Sequence, residues 1–160
     1  MNWEIAGAIG EIVGAMAVVL SLVYLAAQIR VQTRESKLAA MHDISIGFRE
    51  VLDRFTSESV LFVDANNDWE QLTEAQRVRF LGLAAQYFLC WEEAFLQYEE
   101  CRLQDRNWNS IKKYFLNGLG AASMQRAWNI RKSNYDSSFV KFVDAQTIGE
   151  YLTQERSDDA

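Results

Sequence analysis

The sequence predicts an all-α protein, with an N-terminal transmembrane helix continuing into a cytoplasmic helical bundle of four to five helices. Three observations carry this expectation. The 160 residues contain no proline, so no position locks the backbone against a helix. Residues 12–29 carry no formal charge, and only Ser21, Tyr24 and Gln28 among them are polar in any sense. Further along, apolar residues recur every three or four positions, the period of a helix with one buried face. A hydrophobic fraction of 49% with 24% charged residues suits a folded chain and argues against global disorder. The net charge of −6 argues against nucleic acid as a partner, because phosphate binding needs clustered positive charge.

The apolar run Ile5–Ile29 would extend about 37 Å as a helix, against a hydrocarbon core of about 30 Å. It is apolar all round, whereas a soluble amphipathic helix shows a polar face. The expected reading is a membrane span, ahead of a helix buried in a soluble core. A cleaved signal peptide fits less well, because Glu4 stands where a signal carries Lys or Arg. Arg30, Arg34 and Lys37 follow the run directly. The positive-inside rule then puts the N-terminus outside and the remainder in the cytoplasm, with the three cations suited to lipid headgroups.

Inside the run, Gly7, Gly10, Gly14, Ala17 and Ser21 fall within an arc of about 80° on a helix. Such a ridge of small residues lets helix backbones approach closely in lipid, where no hydrophobic effect drives them together. Glu11 lies about 40° from Gly7, beside the ridge. A carboxylate facing lipid is costly, so Glu11 is expected to face a partner helix or water, or to snorkel to the headgroups.

The bundle elements follow in order. Met41, Ile44, Phe48, Val51 and Phe55 form a core-facing stripe on a helix that no breaker separates from the span. "SVLFVDANNDWEQLT" reads as a short helix and a turn, with Thr73 as N-cap of the next helix and Gln76 completing a capping box. Residues 74–103 are expected to form the longest soluble helix, with Val78, Leu81, Ala84, Phe88, Trp91 and Phe95 on its buried side. A helix ending at Asn117–Gly118 comes next, then two more over 121–132 and 136–152. The expected organisation is a span over 1–30, a bundle over 31–152 and an acidic tail over 153–160.

Chemistry is sparse. His42 is the single histidine, which excludes metal sites that need two. As a triad base it would need an activated Ser or Cys, and no nucleophile-elbow glycine pattern exists, so it reads as a structural or surface histidine. Asp64, Asn66 and Asp68 have calcium-loop spacing, but Trp69 replaces the loop glycine and Ala75 the bidentate glutamate, so turn and capping chemistry explains them better. Cys90 and Cys101 would lie about 16 Å apart on one helix, too far for a disulfide. Glu92 and Glu99 fall on the apolar arc of the 74–103 helix, as candidate buried carboxylates paired with Arg49, Arg54 or Arg102, or lining a pocket.

The strings "SLVYLAAQIRVQTRESK" and "YFLCWEEAFLQYEECRLQDRNWNS" resemble a group of small uncharacterised bacterial membrane proteins with one N-terminal span and a helical cytoplasmic domain. The resemblance implies a bacterial inner-membrane location and no assigned chemistry. It departs from the group's pattern at Glu100–Cys101, where a basic residue and a glycine are expected. A looser architectural likeness is to small membrane proteins of CRISPR-associated and abortive-infection systems. The RNA-cleaving Arg–His motif of HEPN domains has no match, since Arg34 has the wrong spacing from His42 and Lys37 is the wrong cation.

The expected function is therefore non-enzymatic. The chain would meet the bilayer, and either itself or another membrane protein, through the small-residue ridge, as an assembly, docking or pore-forming module without a cofactor. The alternatives are an accessory subunit of a larger membrane complex, and a soluble all-α ligand-binding protein with its first helix buried.

Overall fold

The structure, a computed structural model, describes residues 3–149 and 151. Six α-helices account for most of them: α1 (Trp3–Ser57), α2 (Ser59–Asn67), α3 (Glu74–Glu99), α4 (Asp105–Leu119), α5 (Ala122–Arg131) and α6 (Ser137–Asp144), with 3-10 turns at Trp69–Gln71 and Lys132–Asn134. The described residues contain no strand. The chain divides after Ala39 into two packing units. The first comprises the N-terminal part of α1; the second holds the rest of α1 and all that follows. The tail expected over 153–160 lies outside the described residues.

In the second unit, α1 buries the predicted stripe. Ile44 and Val51 are buried, while Met41, Phe48 and Phe55 pack against the core from its margin. The Phe48 ring stands edge-on to Tyr114 and Phe115, with centroids 4.6 and 5.6 Å away. Helix α3 is the centre of the core. It starts as expected: the Thr73 N–H donates to Gln76 Oε1 at 2.9 Å, and the Gln76 N–H donates to Thr73 Oγ1 at 3.3 Å, closing the capping box. Its buried face differs at the start from the expected stripe. Val78 is exposed, and Phe80, Leu83 and Tyr87 take the inward positions ahead of Phe88, Trp91 and Phe95. Trp91 stacks on Phe115 of α4 at 5.3 Å and meets Phe139 of α6 edge-on at 5.5 Å, so one indole joins three helices.

Helix α3 stops at Glu99, short of the expected 103, and the reason is local. Cys101 has φ 57°, in the left-handed region. Its N–H donates to the Tyr98 carbonyl at 2.9 Å, and the Arg102 N–H reaches back to the Gln97 carbonyl at 3.0 Å. These two bonds are the Schellman pairing that closes a helix, normally built on glycine.

The expected stop at Asn117–Gly118 is corrected by the partner of Gly118. Helix α4 runs through it to Leu119. A Cβ at Gly118 would collide with the Tyr87 hydroxyl and lie 2.9 Å from its Cζ. Glycine is there because the Tyr87 ring lies against α4, its hydroxyl donating to the Phe115 carbonyl at 2.6 Å. Burial raises the Tyr87 phenol well above its usual range, so it remains the donor. Gly120 allows a second close approach: a Cβ there would lie 2.5 Å from the Gly149 carbonyl oxygen and 2.8 Å from the Tyr151 nitrogen.

Helix α5 has Ala121 at its N-cap, with no side chain to cap it. Asn66 of α2 does so across the bundle, its Oδ1 accepting from the Ser123 N–H at 3.3 Å. Helices α5 and α6 are tied by Asp144, which accepts from Lys132 Nζ and Trp128 Nε1, each at 2.8 Å. Those two bonds hold its carboxyl below the ordinary range. Helix α6 starts at the Asp136 cap, which accepts from the Ser138 N–H at 2.7 Å. It ends at Asp144, well before the expected 152, and Tyr151 beyond it packs its ring 5.7 Å from Phe62.

Candidate functional site

The site that the sequence singles out lies on the first part of α1. Among the described residues one helix is long and apolar enough to cross a membrane: within Ile9–Ser57, an 18-residue window has a mean hydropathy of 2.2 and none of it is buried. Ile12, Leu20 and Val23 are 61%, 68% and 63% exposed. Burying such side chains is worth about 1.5–3 kcal/mol each. A soluble protein rarely leaves so long an apolar surface open. A core helix passes the same test of length and hydropathy, but its own chain covers it. This one is uncovered.

Its polar side chains are turned back onto the helix. Ser21 Oγ donates to the Ala17 carbonyl at 2.8 Å, Thr33 Oγ1 to the Ile29 carbonyl at 2.8 Å, and Gln28 Nε2 to the Tyr24 hydroxyl at 2.9 Å. Such self-contained bonds suit hydrocarbon, where no water replaces a missing partner. Along the ridge, a Cβ at Gly7, Gly10 or Gly14 would meet nothing within 4 Å, and Ala17 and Ser21 are exposed. The ridge is thus a smooth strip that the chain itself does not occupy. Glu11 is exposed beside it, and Arg30, Arg34 and Lys37 are exposed beyond the apolar run.

The candidate carboxylates of the bundle do not form a site together. Glu92 is half-buried, and its Oε1 accepts from the Asp136 backbone N–H at 2.5 Å, fixing the entry to α6. Glu99 is exposed, contrary to the expectation of burial. Helix α3 ends there, and its apolar arc no longer has a neighbour to face. Arg102 pairs with Glu100 at 3.0 Å instead. His42 is exposed. The Asp64–Asp68 segment does capping work: Asp68 accepts from the Glu70 N–H at 3.0 Å and from Gln71 Nε2 at 2.8 Å. Among the described residues no three His, Cys, Asp or Glu side chains are placed to hold a metal ion.

Both cysteines are free, Cys90 buried and Cys101 exposed. Burial, with a smaller push from Glu93, raises the Cys90 thiol to about 11. A polar cluster that sequence reasoning missed joins Glu70 to Arg126 at 2.5 Å and to Arg77 at 3.4 Å, with the Arg126 guanidinium 5.6 Å from the Trp69 ring centre. Its members are scattered in sequence, and no local spacing announces them. Comparison with protein-family models, with curated proteins and with solved structures finds no match to this chain.

Proposed function

We propose that the protein is a single-span inner-membrane protein of bacterial type, whose first helix self-associates and whose bundle serves as a cytoplasmic assembly or docking module. The observation that carries the reading is the uncovered apolar window of α1. In water it is an open liability; in a bilayer its apolar side chains meet acyl chains and its self-bonded hydroxyls need nothing. Arg30, Arg34 and Lys37 would lie at the cytoplasmic headgroups and set the orientation, N-terminus outside. The bacterial assignment draws on the "VYLAAQIRVQTR" string.

Self-association is supported by the Gly7–Gly10–Gly14 ridge, where, apart from the helix's own adjoining backbone, no described atom lies within 4 Å of a Cβ built on any of the three glycines. Helices meeting along it would bring Glu11 near the seam, where carboxylates from several copies would face one another or a water-filled lumen. The ridge suits a helix of another membrane protein equally well, and that accessory-subunit reading is the alternative. A soluble protein with the first helix in its core draws no support from a window that its own chain leaves bare.

The test has two steps. Membranes of expressing cells are washed with alkaline carbonate, and the protein is expected in the pellet; release into the supernatant overturns the span. Detergent-solubilised mass is then measured for the native chain and for Gly10→Leu and Gly14→Leu. The expected outcome is an oligomer that each leucine shifts towards monomer. A native monomer that co-purifies with a stoichiometric partner selects the accessory reading, and an oligomer indifferent to both leucines removes the ridge as its interface.

A further inference from the structure

The bundle contains a cleft of about 430 Å³ lined from α1, α2, α3, α4, α5 and the segment after α6. Its walls are aromatic: Phe48 and Phe55 from α1, Phe62 from α2, Tyr87 from α3, Tyr114 from α4, and Tyr151. Two glycines make those walls possible. Gly118 admits the Tyr87 ring against α4, and Gly120 admits the backbone that brings Tyr151 to Phe62. Among the described residues, no Asp, Glu, Lys, Arg or His side chain lines the cleft, although 24% of the chain is charged. Its polar groups are neutral hydroxyls and one amide, Asn117. The Tyr87 and Thr56 hydroxyls already donate to the Phe115 and Leu52 carbonyls, which leaves the Tyr114 and Tyr151 phenols, the Ser59 hydroxyl and Asn117 to meet an occupant. Burial, helped by Tyr151, pushes the Tyr114 phenol up, so it remains a neutral donor.

The volume falls in the range of small-molecule sites, which are mostly apolar with a few polar groups that orient the ligand. A charged group placed in this cleft would lose its water and find no counter-ion. The open groove on the outer side of α3, from Leu89 to Arg102, offers walls from one side only and does not compete. We propose that the cleft binds a neutral, largely apolar small molecule carrying one hydrogen-bonding group. All its lining residues belong to the second packing unit, so the inference does not rest on the membrane reading.

The full chain in detergent, with its methionine methyls labelled with carbon-13, is titrated with 2-naphthol and separately with 2-naphthalenesulfonate, the same ring system bearing a charge. Met124 lines the cleft, and Met16 lies on the exposed apolar helix as a reporter of probe dissolved in the micelle. The expected result is a saturating shift of the Met124 methyl with 2-naphthol, at least tenfold weaker with the sulfonate. Tyr114→Phe should weaken 2-naphthol several-fold while leaving naphthalene unchanged. Thr56→Trp, at an exposed position on the cleft, should abolish the saturating shift. A Met124 response that rises linearly in step with Met16, or equal binding of the sulfonate, overturns the proposal. So does a shift that survives both variants while the remaining methyl spectrum is native.

Discussion

Helix α1 is one continuous α-helix, yet its two parts obey different rules. Over residues 9–39 the large hydrophobic side chains are exposed on every side; over residues 40–57 the buried ones return at positions 40, 44 and 51, with Met41, Phe48 and Phe55 at their margin. The backbone hydrogen bonding is the same in both. What differs is the neighbour that each side chain requires: a packed core demands a stripe, whereas a surrounding apolar phase demands none. The lesson is that helix formation and helix burial are separately encoded.

Paired substitutions break or sharpen this comparison. The largest effect is expected at Ile44, which is 3% exposed: Ile44→Ala removes buried methyl groups and should lower bundle stability by about 2–4 kcal/mol, read by denaturant unfolding of the solubilised chain. Leu20→Ala, at a residue 68% exposed, should change that same transition by no more than about 0.5 kcal/mol. Comparable losses at both positions would mean that the apolar run is packed like the core. Next come the glycines. Gly118→Ala puts a methyl into the Tyr87 ring and should cost about 1–3 kcal/mol, whereas Gly10→Ala meets nothing within 4 Å and should leave the bundle unchanged. A harmless Gly118→Ala would show that Tyr87 is free to move off α4. The smallest change is a gain: Cys101→Gly relieves a left-handed β-carbon and should stabilise the bundle by about 1 kcal/mol, visible as a higher unfolding temperature. A loss of stability there would mean that the cysteine side chain contributes more than its backbone strain removes.

The same contrast explains what the sequence disclosed. The Thr73–Gln76 box was legible because both partners are three residues apart, and the 41–55 stripe because one helix face repeats. Gly118 reads as a terminator in the sequence because its reason, Tyr87, lies far back in the chain on another helix. The Asn66 cap on α5 spans 57 residues and has no local signature. Glu99 is expected in the core because the wheel of α3 extends past Cys101, a left-handed stop that carries no glycine to announce it. On the apolar first part of α1 the case is reversed. Each feature there, from the ridge to the flanking cations, is local, so the sequence describes it as fully as the structure does.

The way α3 ends has a practical consequence for spectroscopy. Cys101 stands exposed on a bend, while Cys90 is sealed in the core with a thiol raised to about 11. Burial keeps the Cys90 sulfur protonated at neutral pH as well as covered. An alkylating dye therefore meets a single competent sulfur on the native molecule. The unmodified protein comes with its own attachment point for a fluorophore or spin label, fixed to the end of its central helix.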